Sequence, residues 1–269
     1  MLIRQVAVAL AFCTGFVSSL LLASVAVGQQ TKAEDRSLRS GEYMQIGLPD
    51  PLQSWSLVEF RQATEVLEKL GKKKTQQLPR CESDLSGPVF ARLTSDSNLD
   101  EFRKRDVPLN QRLEQLLEFG NCLQRVKSLY ARARRLNFVS ERDTVEMSAA
   151  YTRFLAVELE LLDELLPTLD PAADDYLQKM LGLESIKLGL AQMLTDFVSS
   201  IDRRELSSAE QKRLIGYVLP HFPKLLRYTS GSMRQAVISR LKLLGKDPQY
   251  ADLEPELGKL VTIARDRVN

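Results

Sequence analysis

Two side chains of opposite charge stand where charge is costly. In the stretch from Ser140 to Leu169, placed at about 100° per residue, Tyr151, Phe154, Leu155, Leu159, Leu162 and Leu166 share one broad arc. Glu158 projects near the centre of that arc, where a lone carboxylate must be paired or protonated. Further on, Met180, Leu183, Ile186, Leu190, Leu194 and Phe197 form a second arc, and Lys187 sits inside it. The link between the two runs reads as a tight break, with Asp170 as N-cap and Pro171 at the first helical position. Two antiparallel helices hinged there would set Glu158 opposite Glu184, one turn from Lys187, so a buried Glu158–Lys187 ion pair is expected across the hairpin. Such pairs fix helix register more often than they catalyse. Gly182, Ser185 and Gly189 make a small-residue stripe at which another helix could approach closely.

The other residues with chemical potential are few. Beyond the first 28 residues there are two cysteines, Cys81 and Cys122, and in an exported protein two thiols tend to form one disulfide. That bond would pin an irregular segment to a helix and stabilise the fold by roughly 4 kcal/mol in the chain-entropy model. The single histidine, His221, removes zinc sites of the His/Cys type and the Glu-x-x-His pairs of di-iron bundles. His221 lies between two prolines, and no serine sits in a G-x-S-x-G turn, which points to a loop or packing role. Ser239-Arg240-Leu241-Lys242 matches S-x-x-K, but it falls inside a helical pattern and no K-T-G accompanies it. Asp96, Asn98 and Asp100 alternate like the start of a calcium loop, yet Glu101 replaces the required glycine and no glutamate closes the loop. Glycine-rich phosphate and dinucleotide loops are missing, so no cofactor is expected.

The elements that must position these residues are helices. Ser56 and Glu59 form a capping-box pattern ahead of Phe60, Ala63, Val66, Leu67 and Leu70, and Gly71 is expected to end that helix. After an irregular stretch from Thr75 to Pro108, a long helix is predicted over Leu109 to Leu136, followed closely by the helix of Ser140 to Leu169. Arg125, Lys127, Arg132, Arg134 and Arg135 make one end of the first helix basic, whereas Glu158 to Asp175 is rich in acids, and these opposite charges are expected to favour the hairpin. Ser207 and Glu210 suggest another capping box. Helical pieces then run to Tyr228, over Ser232–Leu244 and from Pro255 onward. The fold class is therefore all-α, an antiparallel helical bundle of about six to eight helices.

Residues 1–28 carry one charge, Arg4, then an apolar run ending Ala26-Val27-Gly28, the pattern of an export signal cleaved between Gly28 and Gln29. The competing reading is a retained membrane anchor; in either case the remainder is expected to be extracytoplasmic, periplasmic or secreted. Residues 29–47 read as a flexible arm, 48–206 as the main bundle and 207–269 as a C-terminal helical subdomain packed on it. Removing the signal leaves 36 basic against 35 acidic residues, a balance that gives no reason to expect nucleic acid. The expected function is non-catalytic binding of a protein or cell-envelope partner through a groove between helices. The alternative is an extracytoplasmic hydrolase using acids and a serine or lysine in a helical cleft.

Overall fold

The computed structural model describes residues 37–202 and 206–266. The expected export signal and the expected Gly28/Gln29 junction lie outside the described residues. The fold is all-α, an antiparallel helical bundle with no strand among the described residues. Among the described residues ten α-helices follow one another: α1 Ser40–Gln45, α2 Leu57–Lys73, α3 Gly87–Leu93, α4 Leu109–Arg135, α5 Glu141–Leu165, α6 Tyr176–Asp202, α7 Ser208–Val218, α8 Phe222–Arg227, α9 Gly231–Leu244 and α10 Glu254–Asp266. The excess over the expected number comes from two short pieces, α1 and α3, that carry too few turns to show a period, whereas α8 is the short piece expected to run to Tyr228.

Helix α5 is the centre. Phe154, Leu155, Leu159 and Leu162 are buried as the periodicity predicts, and so are Ala149, Ala156 and Val157 on the other side. Both faces are covered because α4 packs along one and α7 and α8 along the other, with α2 backing α4. One continuous hydrophobic cluster runs from Tyr43 to Ala264, so the residues after 206 share a core with the main bundle. Polar ties reinforce the junction: the Tyr217 hydroxyl donates to Glu146, the Ser207 N–H donates to Glu141, and Lys224 bonds Glu160.

Several local expectations are corrected. The segment read as a flexible arm includes α1, whose Tyr43 is fully buried and donates its hydroxyl to the Gln77 carbonyl at 2.6 Å. Ser56 and Glu59 do form the capping box, but α2 continues past Gly71 to Lys73. Gly71 is a contact point, because a Cβ there would overlap Leu129 of α4. Ser207 caps α7 without the predicted box, since its N–H is taken by Glu141 and Glu210 pairs with Arg213. Opposite charges do join the hairpin, through Arg134–Glu141 at one end and Arg112–Glu164 at the other, but the basic cluster and the acids from Glu158 onward do not meet, for a topological reason. Antiparallel packing sets the basic end of α4 beside the start of α5, far from the acids at the other end of α5. Arg125 therefore pairs with Glu68 of α2, whereas Glu160, Asp163 and Glu164 take Arg103, Arg227 and Arg112.

Cys81 and Cys122 are separate free thiols in the structure, not a disulfide. They are directed at different neighbours. Cys122 faces Thr64 of α2, while the Cys81 N–H donates to Asp143 at the start of α5. The loop that the disulfide was expected to hold is fastened by polar groups instead. The Tyr130 hydroxyl donates to the Pro79 carbonyl at 2.7 Å, and Asp143 binds both Cys81 and Arg80.

The tightest approach of α4 to α5 occurs at Gly120, where an added Cβ would overlap the Phe154 ring. Gly120→Ala is expected to lower stability by about 1–3 kcal/mol, measured by urea unfolding, because the ring must shift in a packed wall. Unchanged stability would show that Phe154 moves freely.

Candidate functional site

The predicted ion pair does not form. Helix α6 begins at Tyr176, while Asp170 caps a separate turn by accepting the Ala172 N–H at 2.9 Å. The linker is therefore longer than the expected break at Pro171, and α6 does not lie tightly along α5. Its main helix partner is α9. Lys187 consequently pairs with Glu184 on its own helix at 2.6 Å, and Glu158 has no ion pair or hydrogen bond with any described residue.

What opens in place of that contact is a cleft of about 850 Å³ between α4, α5 and α6, with the end of α2 at its edge. Its lining on α4 runs from Leu117 to Arg132, about 22 Å of helix at 1.5 Å per residue. The α5 and α6 walls are mostly apolar, with Phe154 and Leu155 from α5 and Ile186, Leu190 and Met193 from α6, whereas α4 adds Asn121, Gln124 and Ser128 beside Leu117 and Leu129. The small-residue stripe does not receive the expected helix at Gly189, which instead lines the cleft with no atom within 4 Å of where a Cβ would stand.

Of the charged side chains that line this cleft, Glu158 and Lys127 occupy different levels. Glu158 is only 4% exposed and lies in the wall near Leu117, and burial in apolar surroundings pushes its carboxyl up from 4.5 to about 7. Lys127 lies closer to the basic end of α4, its ammonium 4.5 Å from the centre of the Tyr151 ring. Lys127 is enclosed by protein yet keeps part of its surface open to the cleft. Desolvation holds its pKa below the usual lysine range, and the negative charge of Asp196 opposes that shift. The Gln192 side chain fixes Asp196 with a hydrogen bond of 2.8 Å. At the far edge Arg125 binds Glu68, and Arg132 donates to the Gly71 carbonyl at 3.1 Å.

No protein-family model matches this chain, and no curated protein or solved structure is significantly similar to it. The reading of the site therefore rests on its geometry. No group of three or more metal-ligating side chains occurs among the described residues. His221 sits at the turn before α8, away from the cleft, with its pKa lowered by burial and by nearby Arg153. Ser239 is on the exposed face of α9, where its neighbour Arg240 pairs with Asp202, so the S-x-x-K match assembles no pocket. No described helix is long and apolar enough to cross a membrane.

The sequence picked out Glu158 correctly as an anomaly and missed Lys127 and Tyr151. Tyr151 was on the predicted arc, but the lysine reaching over it belongs to another helix, and its spacing carries no trace of that contact.

Proposed function

We propose that this is an exported, non-catalytic helical protein that binds a cell-envelope component in the cleft between α4, α5 and α6. The observation that carries the reading is the cleft itself. Its volume falls in the range of small-molecule sites, and its walls are mainly apolar with polar groups at separate levels. A catalytic centre would bring an acid or base within hydrogen-bond reach of a second reacting group. Glu158 has no hydrogen-bond partner among the described residues, which weighs against the hydrolase alternative. The export signal over residues 1–28 supports the compartment, and N-terminal sequencing beginning at Gln29 is the matching result.

An apolar fluorescent probe, N-phenyl-1-naphthylamine, tests the binding. The purified protein is expected to take up one equivalent, with enhanced emission. Gly189→Phe is the decisive variant, since Gly189 faces open space and a side chain there fills the cleft without displacing a neighbour. Its stability should be retained or improved, because glycine inside a helix costs roughly 1 kcal/mol relative to better helix formers. Probe binding should fall at least tenfold. Uptake that is the same in Gly189→Phe would place the probe elsewhere and remove the support for this reading.

A further inference from the structure

Glu158 has no counterpart in the fold. A buried polar group without a hydrogen-bond partner calls for an explanation, and a carboxyl in an apolar wall is among the costliest. The charged groups on the surrounding elements do not serve it. Glu68 of α2 is held by Arg125 of α4, and Lys72 is exposed at the end of α2. Lys127 is engaged with Tyr151 and the field of Asp196, Arg132 with Gly71, and Lys187 with Glu184. None of these makes an ion pair with Glu158. The antiparallel register, fixed by Gly120 against Phe154 and Arg112 against Glu164, sets Glu158 level with Leu117, at the opposite end of the cleft from Arg132.

Resting on the binding reading above, we propose that the cleft's ligand is a single-chain amphiphile whose protonated amine meets Glu158 while its apolar chain lies along Phe154, Leu155, Ile186 and Leu190. A protonated amine supplies both the opposite charge and the N–H donors that the carboxylate lacks. An alcohol supplies one donor and no charge. A carboxylate head would add repulsion at Glu158 and would have to reach the basic end instead. The apolar chain replaces water along walls that no helix covers, which is favourable at roughly 0.8 kcal/mol per buried methylene.

Calorimetric titration of the purified protein with dodecylamine, dodecanol and dodecanoate, each below its micelle concentration, tests this directly. Dodecylamine is expected to bind at least tenfold more tightly than dodecanol at about pH 7.5. Its affinity should rise about tenfold per unit between roughly pH 5.5 and 7, because binding needs the ionised carboxylate and expels a proton below the carboxyl's pKa of about 7. Glu158→Gln should remove the preference for the amine over dodecanol and flatten the pH profile. Dodecanoate binding as tightly as the amine would overturn the proposal and move recognition to the basic end. An amine affinity unaffected by Glu158→Gln would overturn it as well. In both cases a loss of binding in Gly189→Phe would keep the cleft as the binding site. If none of the three compounds binds, the binding reading falls together with the proposal.

Discussion

Replacing Asp143 with alanine is expected to destabilise the fold by about 3–5 kcal/mol, the cost of breaking a buried charged network on one side. Asp143 is 1% exposed, at the third position of α5. It accepts the Ser140 N–H at 2.7 Å and the Ser140 hydroxyl at 2.9 Å, which completes the capping box at the start of the central helix. Its other oxygen accepts the Cys81 N–H at 2.7 Å, and Arg80 lies 3.7 Å away. Removal therefore strands the Ser140 and Cys81 backbone donors and takes the carboxylate away from Arg80 in one step. Asp143→Asn keeps an acceptor but no charge and should cost less, about 1–2 kcal/mol. Urea unfolding of the three proteins reads the order directly. A loss below about 1 kcal/mol for the alanine variant would mean that water replaces the network and that Tyr130 alone holds the loop.

The pH dependence of stability should carry the signature of Glu158. Its pKa is raised in the folded protein to about 7 from an ordinary value of 4.5, so the folded state binds a proton more tightly than the unfolded chain. The stability associated with that proton is fully present below about pH 4.5 and is lost as the pH rises through about 7. At about 1.4 kcal/mol per unit of pKa, the loss is about 3 kcal/mol. Subtracting the unfolding free energy of Glu158→Gln from that of the parent at each pH isolates this contribution from every other titrating group. The difference should move against the parent by about 3 kcal/mol between roughly pH 4 and pH 8. A flat difference would mean that the carboxyl stays solvated in the cleft.

Much of the framework was written in local patterns. The long helix expected over Leu109 to Leu136 is α4 at Leu109–Arg135, and the helix read from Ser140 to Leu169 is α5 at Glu141–Leu165, with Ser140 as its N-cap. Such features depend on residues close in sequence, so periodicity and capping chemistry report them. The cleft depends on something else. Helix α6 carries apolar residues on more than one face, leaving Leu177, Leu181 and Leu188 exposed while Leu190 and Leu194 are buried. An apolar stripe says that a face can be covered, but not by which helix or how closely. That is why Glu158 could be recognised as out of place and yet be assigned the wrong partner. Asp143 escaped notice because a capping aspartate looks the same whether or not a distant loop also uses it. Arg112, 4% exposed and donating to the Val107 and Phe102 carbonyls, was hidden in the same way among the leucines of α4.

The continuous cluster that passes from the bundle into α7 and α8 bears on how the molecule can be divided. A gene fragment ending near residue 206 would leave the Ala156 and Val157 side of α5 uncovered and would remove Tyr217, Lys224 and Arg227 from their acidic partners. Tags and fusions therefore belong at the chain ends, and dissection into halves would yield two sticky polypeptides in place of two working modules.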